Sequence, residues 1–146
     1  MTFSKRIPLF LGTAALLACV AMPATAAAKP TEVNLEKSRY GKVLFDGKQR
    51  ALYLFTKDGT GDSQCYGACA TAWPPFYAKG KLKGGPGVNQ SMLGTTTRTD
   101  GRRQVTYAGK PLYYYITDKD PLEITCHNVD EFGGIWYVLG RNGAPA

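Results

Sequence analysis

The sequence predicts a mainly β fold: two pseudo-equivalent β-hairpin-based repeats packed as one domain, with one short helix near residues 65–73. Three observations predict it. Short apolar or alternating runs are bounded by turn formers such as Asp46-Gly47 and Asp100-Gly101, the signature of hairpins. A hexapeptide, Tyr53-Leu54-Phe55-Thr56-Lys57-Asp58, returns sixty residues later as Tyr113-Tyr114-Tyr115-Ile116-Thr117-Asp118. Alanines at positions 68, 70 and 72 make the best helix-forming patch outside the leader.

Residues 1–28 have the form of an export signal. Lys5 and Arg6 open it, and residues 7–18 are apolar but for Pro8, Gly12 and Thr13. That run is shorter than the about 20 residues a bilayer span needs. Two processing patterns compete. Ala24-Thr25-Ala26 and Ala26-Ala27-Ala28, after the helix-breaking Pro23, suit soluble export. Leu16-Leu17-Ala18-Cys19 resembles a bacterial lipobox; the signal would then be residues 1–18, and an acylated Cys19 would anchor the chain to an envelope membrane. Either pattern places the protein in a bacterial cell envelope, periplasmic or outer-membrane-associated, and disfavours a nucleic-acid partner.

Residues 29–39 are polar without a clear period and read as a tether or loosely attached strand before a single domain over 40–140. Residues 40–45 and 51–55, joined by Asp46-Gly47-Lys48, read as a hairpin. A turn-rich loop over 58–63 leads to the helix, with Ser63 as its candidate cap and Pro74-Pro75 as its stop. Residues 76–89 read as a loop. Beyond it, 93–99, 104–107 and 112–116 are strand-like, 118–130 is an acidic loop, and 135–139 closes the domain. The second half repeats the first: Phe45-Asp46-Gly47-Lys48 corresponds to Tyr107-Ala108-Gly109-Lys110, Cys65 to Cys126, and Trp73 to Trp136. The repeats therefore span about 40–76 and 93–140, and packing around a pseudo-twofold axis is expected.

The formal charge of +7 falls to about +5 without the leader. Basic residues cluster only at Lys79, Lys81 and Lys83 and at Arg102-Arg103, which suits an anionic envelope polymer, although a solvated basic loop explains them as well. Without Cys19, three cysteines remain, Cys65, Cys69 and Cys126, an odd number for an oxidising compartment. Cys65 and Cys69 stand one helical turn apart, just compatible with a disulfide. A Cys65–Cys126 bridge would close a longer loop, worth roughly 4 kcal/mol against roughly 2 for the short one. Left reduced, Cys65, Cys69, Cys126 and His127 supply the ligand types of a closed zinc site or a soft Cu(I) site. Adjacent side chains diverge, however, and envelope cysteines oxidise.

The spaced motifs Gly41-Lys42-Val43-Leu44-Phe45-Asp46, Tyr53 to Asp58, Ser63-Gln64-Cys65-Tyr66-Gly67-Ala68-Cys69 with Trp73-Pro74-Pro75, Gly109-Lys110-Pro111-Leu112-Tyr113 to Asp118, and Gly133-Gly134-Ile135-Trp136 resemble a secreted bacterial repeat family of predicted lipoproteins, known by a Tyr-x-(Phe/Trp/Tyr)-x-x-Asp motif. The resemblance covers nearly all of residues 40–139 and implies no established activity. It favours the Cys65–Cys69 pairing, because those cysteines match the family and Cys126 does not. Where the family is glycine-rich, this chain has Thr125-Cys126-His127-Asn128, so any chemistry there is its own.

Within the repeated motif, Tyr53 and Phe55, like Tyr113 and Tyr115, share one face of a strand. They suit a stacking platform for a ligand or, more simply, an aromatic core, with Asp58 and Asp118 fixing the following turns. Leu52 and Leu54 on the opposite face favour the core. Asp58, Thr60 and Asp62 have calcium-loop spacing but lack its terminal Glu. His127 has no Gly-x-Ser-x-Gly partner, so hydrolytic catalysis is not expected and no catalytic residue or resident cofactor is assigned. The resulting expectation is a non-enzymatic binding or structural module of unknown specific function; the alternative is a metal-binding or thiol-redox protein using the three cysteines and His127.

Overall fold

Of the two readings of residues 29–39, a tether or an attached strand, the strand is the one found. In the computed structural model, which describes residues 1–2 and 26–146, strand β1 spans Thr31–Ser38 and lies at the centre of a sheet ordered β2-β1-β4. The core of the export signal and Cys19 lie outside the described residues. The polar composition that suggested a tether over 29–39 reflects a strand with Val33 facing the core and neighbours such as Glu32 and Asn34 only half-covered. Its antiparallel partner β2 is Gly41–Asp46, and β4, Leu82–Gly84, pairs with it in parallel. The glycine- and lysine-rich stretch read as a loop therefore contributes a strand.

Two further three-stranded sheets complete the architecture. In one, β5 (Leu93–Thr97), β6 (Arg103–Tyr107) and the short β7 (Lys110–Pro111) run as antiparallel neighbours. In the other, β3 (Tyr53–Phe55) of the first repeat pairs with β9 (Gly134–Val138) of the second, and β8 (Val129–Glu131) lies on its far side. The β1–β2 and β5–β6 hairpins are equivalent, while β3 exchanges into the other half. Residues 112–116 form no regular strand; Tyr113 makes single bridges to Tyr53 and Pro75 instead.

Turn chemistry follows the sequence with one exception. Gly101 and Ala108-Gly109 hold the left-handed conformations their hairpins require, with φ of 79°, 49° and 76°. In the Asp46 turn the left-handed residue is Gln49 (φ 63°), not Gly47. Asp46 stabilises it by accepting the backbone N–H groups of Lys48 and Arg50 at 2.8 and 2.9 Å. The one α-helix, α1, is shorter than expected, Ala68–Ala72, and begins at Gly67 without a side-chain cap. Ser63 is drawn away from the capping role by a buried network described below.

Both faces of β3 are buried, as the alternation of leucines and aromatics requires. Leu52 and Leu54 join an aliphatic cluster with Val33, Leu44, Val105 and Leu112. Tyr53 and Phe55 join an aromatic cluster with Trp73, Tyr113 and Trp136. The three-residue strand thus separates two cores and covers both.

Candidate functional site

The repeated motif assembles at the boundary between the two halves. Tyr53 and Tyr113 exchange both backbone hydrogen bonds at 2.9 Å, the arrangement that a twofold relation between repeats produces. Their side chains cross over. Tyr53 Oη donates to Asp118 Oδ2 and Tyr113 Oη donates to Asp58 Oδ2, each at 2.6 Å, so each repeat's first motif residue is bonded to the other's last. Burial, followed by the nearby carboxylate, holds both phenols far above their ordinary pKa, and they act as permanent donors.

Around this crossing four rings are stacked. Phe55 lies on Trp136 (4.1 Å between centroids), Trp136 on Trp73 (4.0 Å), and Trp73 on Tyr115 (4.3 Å). Tyr53 and Tyr113 abut this column edge-on, against Trp73 and Trp136 at 5.2 and 5.1 Å. Glu131 accepts both indole N–H groups, through Oε2 from Trp73 and its backbone oxygen from Trp136. All six motif residues, Tyr53, Phe55, Asp58, Tyr113, Tyr115 and Asp118, are therefore brought together, but as a core. No open stacking face remains on the tryptophans, which are fully buried.

The carboxylates are equally committed. Asp58 also accepts Gln64 N–H, and Asp118 accepts Thr125 N–H and Oγ1–H. Burial raises the Asp58 pKa, opposed by the bonds from Tyr113 and Gln64 and by the charge of Arg98. Asp58 is thus turned into the protein rather than toward Thr60 and Asp62, and among the described residues no three His, Cys, Asp or Glu side chains converge as a metal site.

Sequence reasoning missed Arg98. It is 5% exposed; Nη1 donates to Ser63 Oγ (2.6 Å) and Gln104 Oε1 (2.8 Å), and Nη2 donates to the Cys65 carbonyl (2.6 Å). Its guanidinium covers the Tyr66 ring at 4.2 Å, and Nε has no partner among the described residues. Ser63 Oγ lies 2.6 Å from Tyr113 Oη, so a hydroxyl chain links the Arg98 charge to Asp58. The available sequence signal was Ser63 placed just before the helix, which has two explanations, a cap or a network.

Cys65 and Cys69 form a disulfide, with Cα atoms 5.2 Å apart. This removes two of the four ligands of the alternative zinc or copper set, because bridged sulfurs are no longer thiolates. Cys65–Cys126 pairing is likewise excluded in this state, leaving Cys126 as a free, half-buried thiol. Burial raises its pKa; a hydrogen bond from Tyr115 draws it back, while Glu131 and Asp118 push it up further. His127 diverges from it, stacking on Tyr40 at 4.2 Å and meeting Tyr137 edge-on at 5.6 Å. Its Nδ1 accepts Val138 N–H at 3.3 Å. Burial, aided by Arg39 and opposed by a backbone bond to Ala146, lowers its pKa, favouring the neutral ring.

A separate cleft of about 740 Å³ opens on the far side of the Asp46 turn, bounded by residues 28–32, 46–50 and 75–79 with Tyr114. Its rim carries Lys29, Lys48, Arg50 and Lys79.

The pairing of two repeats through a Tyr-aromatic-Asp motif defines a class of duplicated β domain. A family profile described as a secreted repeat of unknown function matches residues 35–77 and 94–139, and the chain belongs to that family. The matched segments coincide with the two halves read from the motif spacing, with β1 supplying the start of the first. No curated protein and no solved structure matches the chain. Among the described residues, no helix is long and apolar enough to cross a membrane.

Proposed function

We propose that this exported protein works in the cell envelope, periplasmic or outer-membrane-associated, as a non-enzymatic binding or structural module. The supporting observation is that the chemistry-bearing residues of the repeated motif are consumed in joining the repeats. Both aspartates accept the opposite tyrosine, and two of the three cysteines beyond the leader are bridged. The remaining reactive groups are not activated: the Cys126 thiol is held above its ordinary range, and His127, the only histidine, is disfavoured as a cation. No serine or carboxylate bonds to His127 among the described residues, so an activated nucleophile lacks its base.

Thiol titration of the exported protein, unfolded without reductant, tests this reading. One reactive thiol before reduction and three after it is the expected result. Three thiols at the outset, which zinc or copper protects in the folded protein, would establish the metal or redox alternative through Cys65, Cys69, Cys126 and His127. The intact mass of the same sample reports whether Cys19 is retained and acylated.

A further inference from the structure

We propose that the cleft between the start of β1, the Asp46 turn and residues 75–79 binds an acidic saccharide, a glycan segment bearing carboxylate or phosphate groups. This deepens the reading of the protein as an envelope binding module and rests on it.

Charge and its placement carry the inference. The cleft has two carboxylates, and both are already satisfied. Asp46 accepts two backbone N–H groups, Arg50 Nε at 3.2 Å and Tyr114 Oη at 2.9 Å. Glu32 pairs with Lys83 at 3.2 Å. By contrast, Lys29, Lys48 and Lys79, one from each wall, make no ion pair among the described residues. A concave site rimmed by uncompensated cations raises the local concentration of anions.

Arg50 adds a preorganised contact. Its guanidinium carbon lies over the Tyr114 ring, 3.6 Å from the centroid, and Asp46 holds its Nε. The two terminal nitrogens make no hydrogen bond among the described residues, and the side chain is 46% exposed. They form an available fork that matches a carboxylate or phosphate by two parallel bonds. Stacking and pairing already fix the side chain, so little rotamer freedom remains to be lost on binding.

The size and walls select the rest of the ligand. A cleft of about 740 Å³ is far larger than a single anion and lies within the roughly 300–1,000 Å³ of small-molecule sites. Its lining includes Pro30 and the half-buried Tyr77, apolar surface for the carbon-bound face of a sugar ring beneath hydroxyls and charges at the rim; Phe76 is buried and the Tyr114 ring is taken by Arg50. Strand β1 pairs with β4 through Thr31–Val33 and with β2 from Val33 onward, so only Thr31 and Glu32 border the cleft without a β2 partner, too short an edge for an extended acidic peptide to add to.

Calorimetry on the exported protein with four probes tests the site: tetragalacturonate, phosphorylated maltotetraose, neutral maltotetraose and tetraglutamate. At least one acidic saccharide is expected to bind, the stronger of the two identifying carboxylate or phosphate, with the neutral sugar and the peptide about tenfold weaker or more. Arg50→Gln, and separately the Lys48→Gln/Lys79→Gln pair, should each weaken binding at least about tenfold, while Lys37→Gln at the other end of β1 should leave it unchanged. The two lysines are exposed, so their loss tests the site without disturbing the core. No binding of either acidic saccharide, equal binding of tetraglutamate, or indifference to both cleft variants would overturn the proposal. Thiol titration is independent of these outcomes and separates failure of the site from failure of the envelope-module reading.

Discussion

Asp58 and Asp118 receive the same bond from opposite repeats, yet their surroundings differ. Asp118 accepts three donors, two of them from Thr125, and needs little else. Asp58 accepts two, and its negative charge is offset at a distance by Arg98 through Ser63 and Tyr113. In the second repeat the residue before Thr125 is Ile124, whose backbone carbonyl accepts the guanidinium of Arg39, an exposed side chain rather than a buried one. The twofold plan has been kept in the backbone and the rings and abandoned in the polar shell. A duplicated core tolerates divergence as long as every buried acceptor finds a donor, whichever donor it is.

Truncating what the two halves share should have the largest effect. Trp73→Ala or Trp136→Ala removes the middle of the stack, and each should cost about 3–5 kcal/mol in urea denaturation. Near-equal losses are expected because each ring packs on the other. A much smaller loss for one would mean that its half has a core of its own.

The phenols come next. Tyr113→Phe should cost more than Tyr53→Phe, both within about 1–3 kcal/mol, because it leaves Asp58 with one donor and cuts the chain to Arg98. Asp118 keeps Thr125 in the corresponding variant. Equal costs would remove Arg98 from the account. Opening the disulfide with Cys65→Ala/Cys69→Ala should cost about 2 kcal/mol, the value for a loop this short, and should leave the second repeat's hydrogen-exchange protection largely intact.

The smallest effect is in pH dependence. The pKa of Asp58 is raised in the folded state, so between the ordinary carboxylate value and the raised one the native protein holds a proton the unfolded chain has released. Stability therefore falls as pH rises through that window and levels off above it. Asp58→Asn should abolish this component of the slope in denaturation series from pH 3 upward; an unchanged slope would place its origin elsewhere.

The sequence made the duplication, the β5–β6 hairpin and the dual burial of β3 legible, because period-two alternation and turn residues are local signals; β2, read as the partner of residues 51–55, pairs along its length with β1 instead. The Cys65–Cys69 bridge was one of two readings and needed the family resemblance to be preferred. What remained hidden was non-local. β1 and β4 are polar strands whose identity comes from pairing, with only Val33 of β1 fully buried. The exchange of Tyr53 and Tyr113 partners across 65 and 55 residues leaves no trace in spacing. Arg98 reads as a surface cation until its hydroxyl and carbonyl partners are seen around it. The cleft, too, joins three separated segments and Tyr114; the Asp46 turn and the Lys79 cluster were noticeable in the sequence, but not their meeting.

The insertion of β3 beside β9 limits how many copies such a chain can carry. A molecule with one repeat would have a tyrosine without its aspartate, an aspartate without its tyrosine and half a column of rings. It would have to borrow the missing set from a second molecule, exchanging segments as domain-swapped dimers do. Here a linker through residues 78–92 keeps the borrowing within one chain. That makes the junction a place where a single protease cut should leave two fragments still holding each other, like interlocked hands.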